Sequence, residues 1–487
     1  MSLRSADLRF VVPHEVSTAI VLGSRRSARL GRLRAGLVEA GVHVVDGLRR
    51  NQPVDLVVAG GYDGRAVDLP GRAHLLLGAP AFPSAKLRGR DRLGLLVRGD
   101  VATADTVLPV SSSRPLAHHL TNLRPQRGRR AQLRDIALTH LGRGPVPLVR
   151  LLPGTSRISL VGPVGSDLRP GLLRAAESLG IEAGCSWVLD LGSGDELQRA
   201  VFHVLRPSQE GWVVKFSRVT GYDRPFLRDE TGLSLARTAG PRTRAHVPEH
   251  LGRLQYGGLT ASVETAGAGG QLLHLLPDRP VLVLEAIASW VIGMGAESRQ
   301  APQLLDRERV RLRQVLAAAG PSTGAPADLV DRVPAVPAVL QHNDLGSWNI
   351  LSDGQGFTVV DWESAQPTGL PLWDMLYFAA DVLARLDGPA EPSVLVQRTL
   401  QICAGESPRS EVLFRWLSAA AHALHVPTAA IGPLAALCWL HHAQSATRRN
   451  AALSGASPAP LGHLALLAPA WLAHPALGAG WPALRVG

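Results

Sequence analysis

Residues 341–365 read QHNDLGSWNILSDGQGFTVVDWESA. Three polar residues stand at fixed intervals: His342, then Asp344, then Asn349 five positions later. A turn, SDGQG, leads into the apolar run FTVV, which closes on Asp361. Phosphoryl transfer calls for these residue types. One carboxylate must accept a hydrogen bond from the attacking hydroxyl, and a second carboxylate with an amide oxygen must hold Mg2+ against the phosphates. Asp and Asn also decorate ordinary turns. Here, though, three spaced polar groups coincide with two flanking apolar strands, and a turn alone asks for neither.

The segment HNDLGSWNIL…VVDWE resembles the aminoglycoside phosphotransferase and choline kinase family, whose fold is protein-kinase-like, and the resemblance covers roughly residues 183–487. It implies an antiparallel N-lobe, a mainly helical C-lobe, and ATP with Mg2+ as cofactors. It makes Asp344 the catalytic base, His342 a support of the loop, and Asn349 and Asp361 the magnesium ligands. Trp362 and Glu363 stand where protein kinases have Phe-Gly, and Trp348 where the family often has Gly. Asp374, in GLPLWDMLYF, matches a helix aspartate expected to bond to the catalytic loop.

Upstream lies SWVLDLGSGDELQRAVFHVLRPSQEGWVVKF, Ser186 to Phe216. Its first half supports a rival reading, an S-adenosylmethionine-dependent methyltransferase built on VLDLGSGDE, which requires a helix after the glycine loop. The residues that follow, RAVFHVL, are rich in β-branched and aromatic types and are broken early by RPSQEG, so an antiparallel meander is expected. On the kinase reading Gly192, Ser193 and Gly194 cover the phosphates with backbone N–H groups, and Lys215 contacts them. Only Lys86 and Lys215 are lysines among 51 basic residues, so a lysine inside WVVKF is a specific choice over arginine. Its expected carboxylate partner is Glu230, with Asp229 the neighbouring alternative, on a helix FLRDETGLSLARTAG. A glycine-rich hinge follows around Glu264 to Gly270.

The 487 residues are too many for one core. We expect a basic α/β domain over 1–150 with a parallel, Rossmann-like sheet, a kinase-like N-lobe with a preceding linker over 151–270, and a C-lobe over 271–487. Residues 1–150 hold 24 Lys and Arg against 11 Asp and Glu, which suits an anionic partner, although no aromatic-interleaved basic run argues for nucleic acid. Three scattered cysteines exclude a disulfide framework and fit a cytoplasmic protein. Trp416–Thr447 and Ala451–Leu484 lack charged residues and read as buried helices, not membrane spans. Their His and Trp residues read as packing. Asp381, Asp387, Glu391, Glu406 and Glu411 are scattered and make no acidic patch for a polycation, so a neutral sugar or another hydroxylated metabolite suits the site as well as an aminoglycoside does. A third reading is a catalytically inactive, nucleotide-binding kinase-like module.

Overall fold

A computed structural model describes residues 3–23, 27–46, 54–60, 71–77, 90–98, 105–112, 114–123, 155–192, 199–206, 211–276, 281–452 and 462–478. Its contacts gather into two compact units. The first is Met1–Phe226 with Glu249–Ala266, and the second is Leu227–Pro248 with Gly267–Gly487. The first unit therefore takes in residues 1–150 together with strands that the sequence reading gave to a separate lobe.

The first unit is built on one sheet, which among the described residues has twelve strands in the order β11-β12-β10-β9-β8-β6-β5-β7-β4-β3-β1-β2. The strands are β1 (Thr18–Leu22), β2 (His43–Val45), β3 (Val54–Gly60), β4 (Gly71–Leu77), β5 (Asp91–Arg98), β6 (Thr106–Pro109), β7 (Thr155–Gly162), β8 (Ser186–Asp190), β9 (Ala200–Leu205), β10 (Trp212–Phe216), β11 (His250–Tyr256) and β12 (Leu259–Thr265). Helix α1 (Ala28–Glu39) joins β1 to β2, with Ser27 capping its first turn through Leu30 N–H.

Among the described strands of this sheet, only β2, β1, β3 and β4 pair in parallel. β5, β6 and β7 pair antiparallel, and β6 carries the sheet on into β8 through Thr106↔Asp190 and Val107↔Leu189. This corrects the expectation of a self-contained, Rossmann-like parallel sheet. The apolar runs of β5 and β7 are equally at home in antiparallel pairing when both faces are covered, so run composition alone could not give strand direction.

β8, β9 and β10 form the expected meander. Nine residues, 191–199, separate β8 from β9, and a parallel crossover needs a dozen or more. The methyltransferase reading of VLDLGSGDE is therefore set aside, because its glycine loop sits inside a hairpin.

Side-chain alternation sorts this sheet into two faces. Ala200, Phe202 and Val204, then Trp212, Val214 and Phe216, then Leu259, Ala261 and Val263 enter the unit's core. Fully burying a side chain such as Phe216 contributes about 1.5–3 kcal/mol. The N-terminal segment Leu3–Val11 packs there too, with the Phe10 ring 4.7 Å from that of Phe216. Arg218, which follows β10, donates to the Leu191 carbonyl and sits 3.4 Å from the buried Asp7 carboxylate. Arg9 donates to the Arg218 carbonyl at 3.1 Å and to that of Ala40 at 2.9 Å.

The second unit is mainly helical: most of α2 (Arg224–Ala239), then α3 (Val281–Glu297), α4 (Asp306–Thr323), α5 (Trp373–Arg385), α6 (Pro392–Ala404), α7 (Ser410–Leu424), α8 (Thr428–Ala452) and α9 (His463–Ala473). Two short sheets, β13-β15-β16 and β14-β17, carry the motif loop. Their strands are β13 (Gly270–Gln271), β14 (Val339–Gln341), β15 (Ile350–Ser352), β16 (Phe357–Val359) and β17 (Gln366–Gly369). Helix α5 is buried from Trp373 to Ala384 and is apolar nearly all round, as a central core helix must be. Among the described residues no single helix is long and apolar enough to cross a membrane; α7 and α8 pass such a test only as a pair bent by 110°. Trp416, Leu417, Leu434 and Trp439 of that pair lie in the unit's core. All three cysteines are free thiols.

Candidate active site

The loop between β14 and β15 carries His342, Asp344 and Asn349, and the β15–β16 hairpin returns the chain to Asp361. Asn343 and Asp361 adopt left-handed backbone angles, with φ of 64° and 66°. Asn and Asp tolerate that region better than most residues, and such angles concentrate at functional loops. His342 Nε2 lies 3.0 Å from the Val360 carbonyl, and the Asp344 N–H donates to His342 Nδ1 at 3.3 Å. Both contacts fit one ring tautomer, with the proton on Nε2. The imidazole thus braces the start of the loop against its return strand.

The Asp344 carboxylate receives two donors. Asn349 Nδ2 donates to its Oδ2 at 3.1 Å and to the Asp344 carbonyl at 2.9 Å. The Tyr377 hydroxyl donates to its Oδ1 at 3.0 Å. Burial, then the neighbouring Asp344, raises the Tyr377 hydroxyl well above its ordinary range. It therefore stays protonated and acts as a donor at any physiological pH.

Before its terminal Arg385, α5 carries three polar residues among apolar ones, and Tyr377 is one of them. Asp374, Tyr377 and Asp381 fall at i, i+3 and i+7, one helix face. All three turn to the loop. Asp374 accepts the backbone N–H groups of His342 at 2.7 Å and Asn343 at 2.8 Å. Asp381, fully buried, accepts the Ser347 N–H at 2.8 Å and is paired with Arg385 Nε at 2.5 Å. Burial pushes the Asp374 carboxyl up, against the pull of His342 and the two N–H groups. The expectation for Asp374 as a loop clamp matches these bonds. Asp381, read from sequence as one of several scattered acids, is a second clamp. Tyr377 was missed; its signal was a hydroxyl one turn beyond Asp374 on a buried helix.

Helix α2 holds the other end of the motif. Asp229, 1% exposed, accepts the Trp362 N–H at 2.9 Å. Gly232 lies so close to Trp362 that a Cβ there would sit 2.2 Å from its carbonyl oxygen. His441 of α8, expected only to pack, reaches the loop as well, with Nε2 3.3 Å from Asn343 Nδ2. Burial, His442 and nearby arginines hold the His441 imidazole far below the usual range, so it is neutral. The His442 ring stacks 4.2 Å from that of Tyr377.

In the first unit, Lys215 projects from the sheet face opposite the core. Its Nζ lies 2.8 Å from Glu264 Oε1, with both side chains nearly buried (10% and 3% exposed). Glu264 of β12 is thus one carboxylate at the ammonium. On α2, Glu230 is half-buried and the Asp229 carboxylate accepts the Trp362 N–H. Gly192 has φ 61°, and its N–H donates to Asp190 Oδ1 at 2.8 Å, turning the chain sharply at the end of β8. Ser193 and Gly194 lie outside the described residues.

The donor chemistry fits magnesium. Because the Asn349 amide nitrogen is turned to Asp344, its oxygen is the atom left for a hard cation, and Asp361 supplies a carboxylate. Among the described residues no group of three or more His, Cys, Asp and Glu could by itself hold a metal ion.

Residues 197–411 match the model of the family described as the phosphotransferase enzyme family. No curated protein matches the chain in sequence. Among solved structures, the chain is similar to a glucosamine kinase in complex with glucosamine, ADP and inorganic phosphate (15% identity, 62% of this chain, 84% of that one, TM-score 0.35). It is also similar to the macrolide 2'-phosphotransferase MphH from Brachybacterium faecium (19% identity, 60% and 99% covered, TM-score 0.31). The bifunctional kinase-methyltransferase WbdD is matched over 85% of each chain at 12% identity and TM-score 0.27.

Proposed function

We infer, with the match of residues 197–411 to the phosphotransferase enzyme family model in support, that the chain is a kinase-type phosphotransferase that moves the γ-phosphoryl of ATP to a hydroxyl of a small molecule. The acceptor would be a sugar, an aminoglycoside-like compound or another hydroxylated metabolite. The observation that carries this reading is the Asp344 carboxylate, fixed from two sides by Tyr377 and Asn349 on a loop whose backbone is bonded to Asp374 and Asp381.

Phosphoryl transfer demands positioning and electrostatics more than covalent help from the protein. Asp344 orients the acceptor hydroxyl, and its carboxylate takes the proton as the new P–O bond forms and the bond from the γ-phosphorus to the departing ADP breaks. Asn349 and Asp361 would hold Mg2+, which when bound offsets charge on the phosphate oxygens. Lys215 places the α/β-phosphates, and the stretch Gly192-Ser193-Gly194 is the candidate to cover them. His342 and Asp374 keep the loop in shape without touching substrate.

Asp344→Ala tests the assignment. Turnover should fall to background across a panel of hydroxylated acceptors, while Mg-ADP binding by titration calorimetry stays within a few-fold of the parent. Chelation of magnesium should stop turnover in the parent and be reversed by adding it back. An Asp344→Ala chain that phosphorylates an acceptor at the parent rate removes the base from this position.

A further inference from the structure

We propose that Arg311 and His441 are positioning residues for the Asp344 base, joined to it by a hydrogen-bond chain of fixed direction that runs from Arg311 through His441 to the Asn343 side chain. The proposal rests on the phosphotransferase reading and assigns two residues which that reading does not use.

The direction follows from what each group can donate. Arg311 of α4 holds the Glu308 carboxylate with Nε, at 2.7 Å, and with Nη2. The same Nη2 lies 3.0 Å from His441 Nδ1. A guanidinium has donors only, so Nδ1 must accept, and the single proton of the neutral imidazole sits on Nε2. A charged ring, or a proton on Nδ1, would set donor against donor at Arg311. Nε2 faces the Asn343 carboxamide at 3.3 Å, where a nitrogen would again oppose a donor. The carboxamide therefore turns Oδ1 to His441, since only bonding partners tell the two ends of an amide apart. In the opposite orientation Oδ1 is buried and makes no hydrogen bond among the described residues, so the turn breaks none. Rotating the imidazole instead would put carbon at both contacts.

Asn343 immediately precedes the base and has a left-handed backbone, with φ of 64°. Such a conformation persists where the surroundings over-determine it. Here α5 holds the backbone, through the Asn343 N–H on Asp374 Oδ1 at 2.8 Å, while α8 and α4 hold the side chain through His441 and Arg311. The Trp373 ring, 5.2 Å from that of His441, keeps the imidazole in place. The backbone angles at Asn343 set where the Asp344 carboxylate points, so His441 and Arg311 act on the base through Asn343 and touch neither substrate nor nucleotide.

The test uses the full chain with isotope-labelled histidine, and His441→Gln identifies the His441 signals. Long-range nitrogen–proton correlation spectra should show a neutral Nε2–H tautomer at neutral pH. Arg311→Met together with Glu308→Gln removes both members of the ion pair, so no buried carboxylate is left unpaired. In that chain the tautomer should no longer be fixed, and the Nδ1–H form should appear. The second readout is ADP release from Mg-ATP with water as acceptor. His441→Leu should slow it roughly tenfold to a hundredfold, the scale of misplacing a catalytic group by about 1 Å, with KM for ATP changed less than about threefold. His441→Gln, which accepts through its amide oxygen and donates through its amide nitrogen, should recover the rate to within about threefold of the parent. The proposal is overturned by an Nδ1–H or charged His441 in the parent, by a His441→Leu rate within about twofold of the parent, by a His441→Gln chain as slow as His441→Leu, or by a loss that falls on KM. Should His441→Leu fail to fold, the Arg311→Met, Glu308→Gln chain decides, because it should both release the tautomer and slow ADP release about tenfold. A parent that shows the Nε2–H tautomer but releases no ADP would instead refute the phosphotransferase reading on which the positioning role rests.

Discussion

Tyr377→Phe isolates one hydrogen bond at the proposed base. The phenol donates to Asp344 Oδ1 at 3.0 Å from within α5, and its ring is held by His442 at 4.2 Å and Trp348 at 6.1 Å between centroids. Phenylalanine keeps that ring packing and deletes only the donor. A hydrogen bond to an ionised acceptor contributes about 1.5–3 kcal/mol net. If the bond serves to aim the carboxylate, its loss appears in the barrier, and 1.4 kcal/mol is a factor of ten in rate. The expected fall in kcat is therefore roughly tenfold to a hundredfold. KM for nucleotide and for acceptor should change less than about threefold, because neither ligand contacts the phenol oxygen in this account. Folding stability should drop by only about 1 kcal/mol, since Asn349 still bonds the carboxylate. Initial-rate kinetics on an accepted substrate, with a melting curve beside them, separate these effects. A kcat within twofold of the parent would refute the reasoning, and so would a loss that falls on KM.

Asp374→Ala should remove the acceptor for two buried loop N–H groups, costing about 2–5 kcal/mol in stability and more than tenfold in turnover, read by melting and kinetics. Acid should destabilise the first unit. Burial lowers His118 to about 3 and His203 to about 4. Unfolded, both titrate near 6.5, so between pH 6.5 and about 4 the unfolded chain binds protons that the folded one refuses, and stability is lost as pH falls through that window. The combined loss is on the order of a few kcal/mol. Denaturant midpoints at pH 7 and pH 5 measure it, and equal midpoints would contradict it. A chain beginning at residue 183, where the resemblance starts, should fail to fold, as circular dichroism would report: it lacks β6, the partner of β8, and Asp7, the partner of Arg218.

Much of the motif was legible because it is local. His342, Asp344, Asn349 and Asp361 span twenty residues, and turn chemistry plus strand alternation place them without reference to the rest of the chain. Lys215 stood out by residue choice, against a chain that otherwise uses arginine. Its partner did not. A glutamate in a helix's first turns and a glutamate ending a strand are equally plausible from sequence, and the contact of Lys215 with Glu264 depends on the β10–β12 register. The parallel run of β1–β4 was readable, but the antiparallel turn at β7 and the β6–β8 join depend on pairings between distant segments, which no local pattern encodes. Ser193 and Gly194 rest on the motif alone.

The polar stripe of α5 separates two kinds of demand on the site. The groups proposed to act on substrate sit on a loop, where left-handed backbone at Asn343 and Asp361 is available. Groups that keep the loop in one shape sit on a buried helix, where a polar atom is costly unless bonded, and each is bonded to the loop. Asp374, Tyr377 and Asp381 thus gain their stability from the loop conformation that they enforce. Any loop movement that released the Asp344 carboxylate would strand the Tyr377 hydroxyl in the unit's core, and movement at Asn343 or Ser347 would do the same to a buried carboxylate. That mutual dependence makes the loop rigid in the absence of ligand, and it predicts that variants of this stripe lose catalysis and stability together, as does Asp344→Ala, which leaves the Tyr377 hydroxyl without its acceptor.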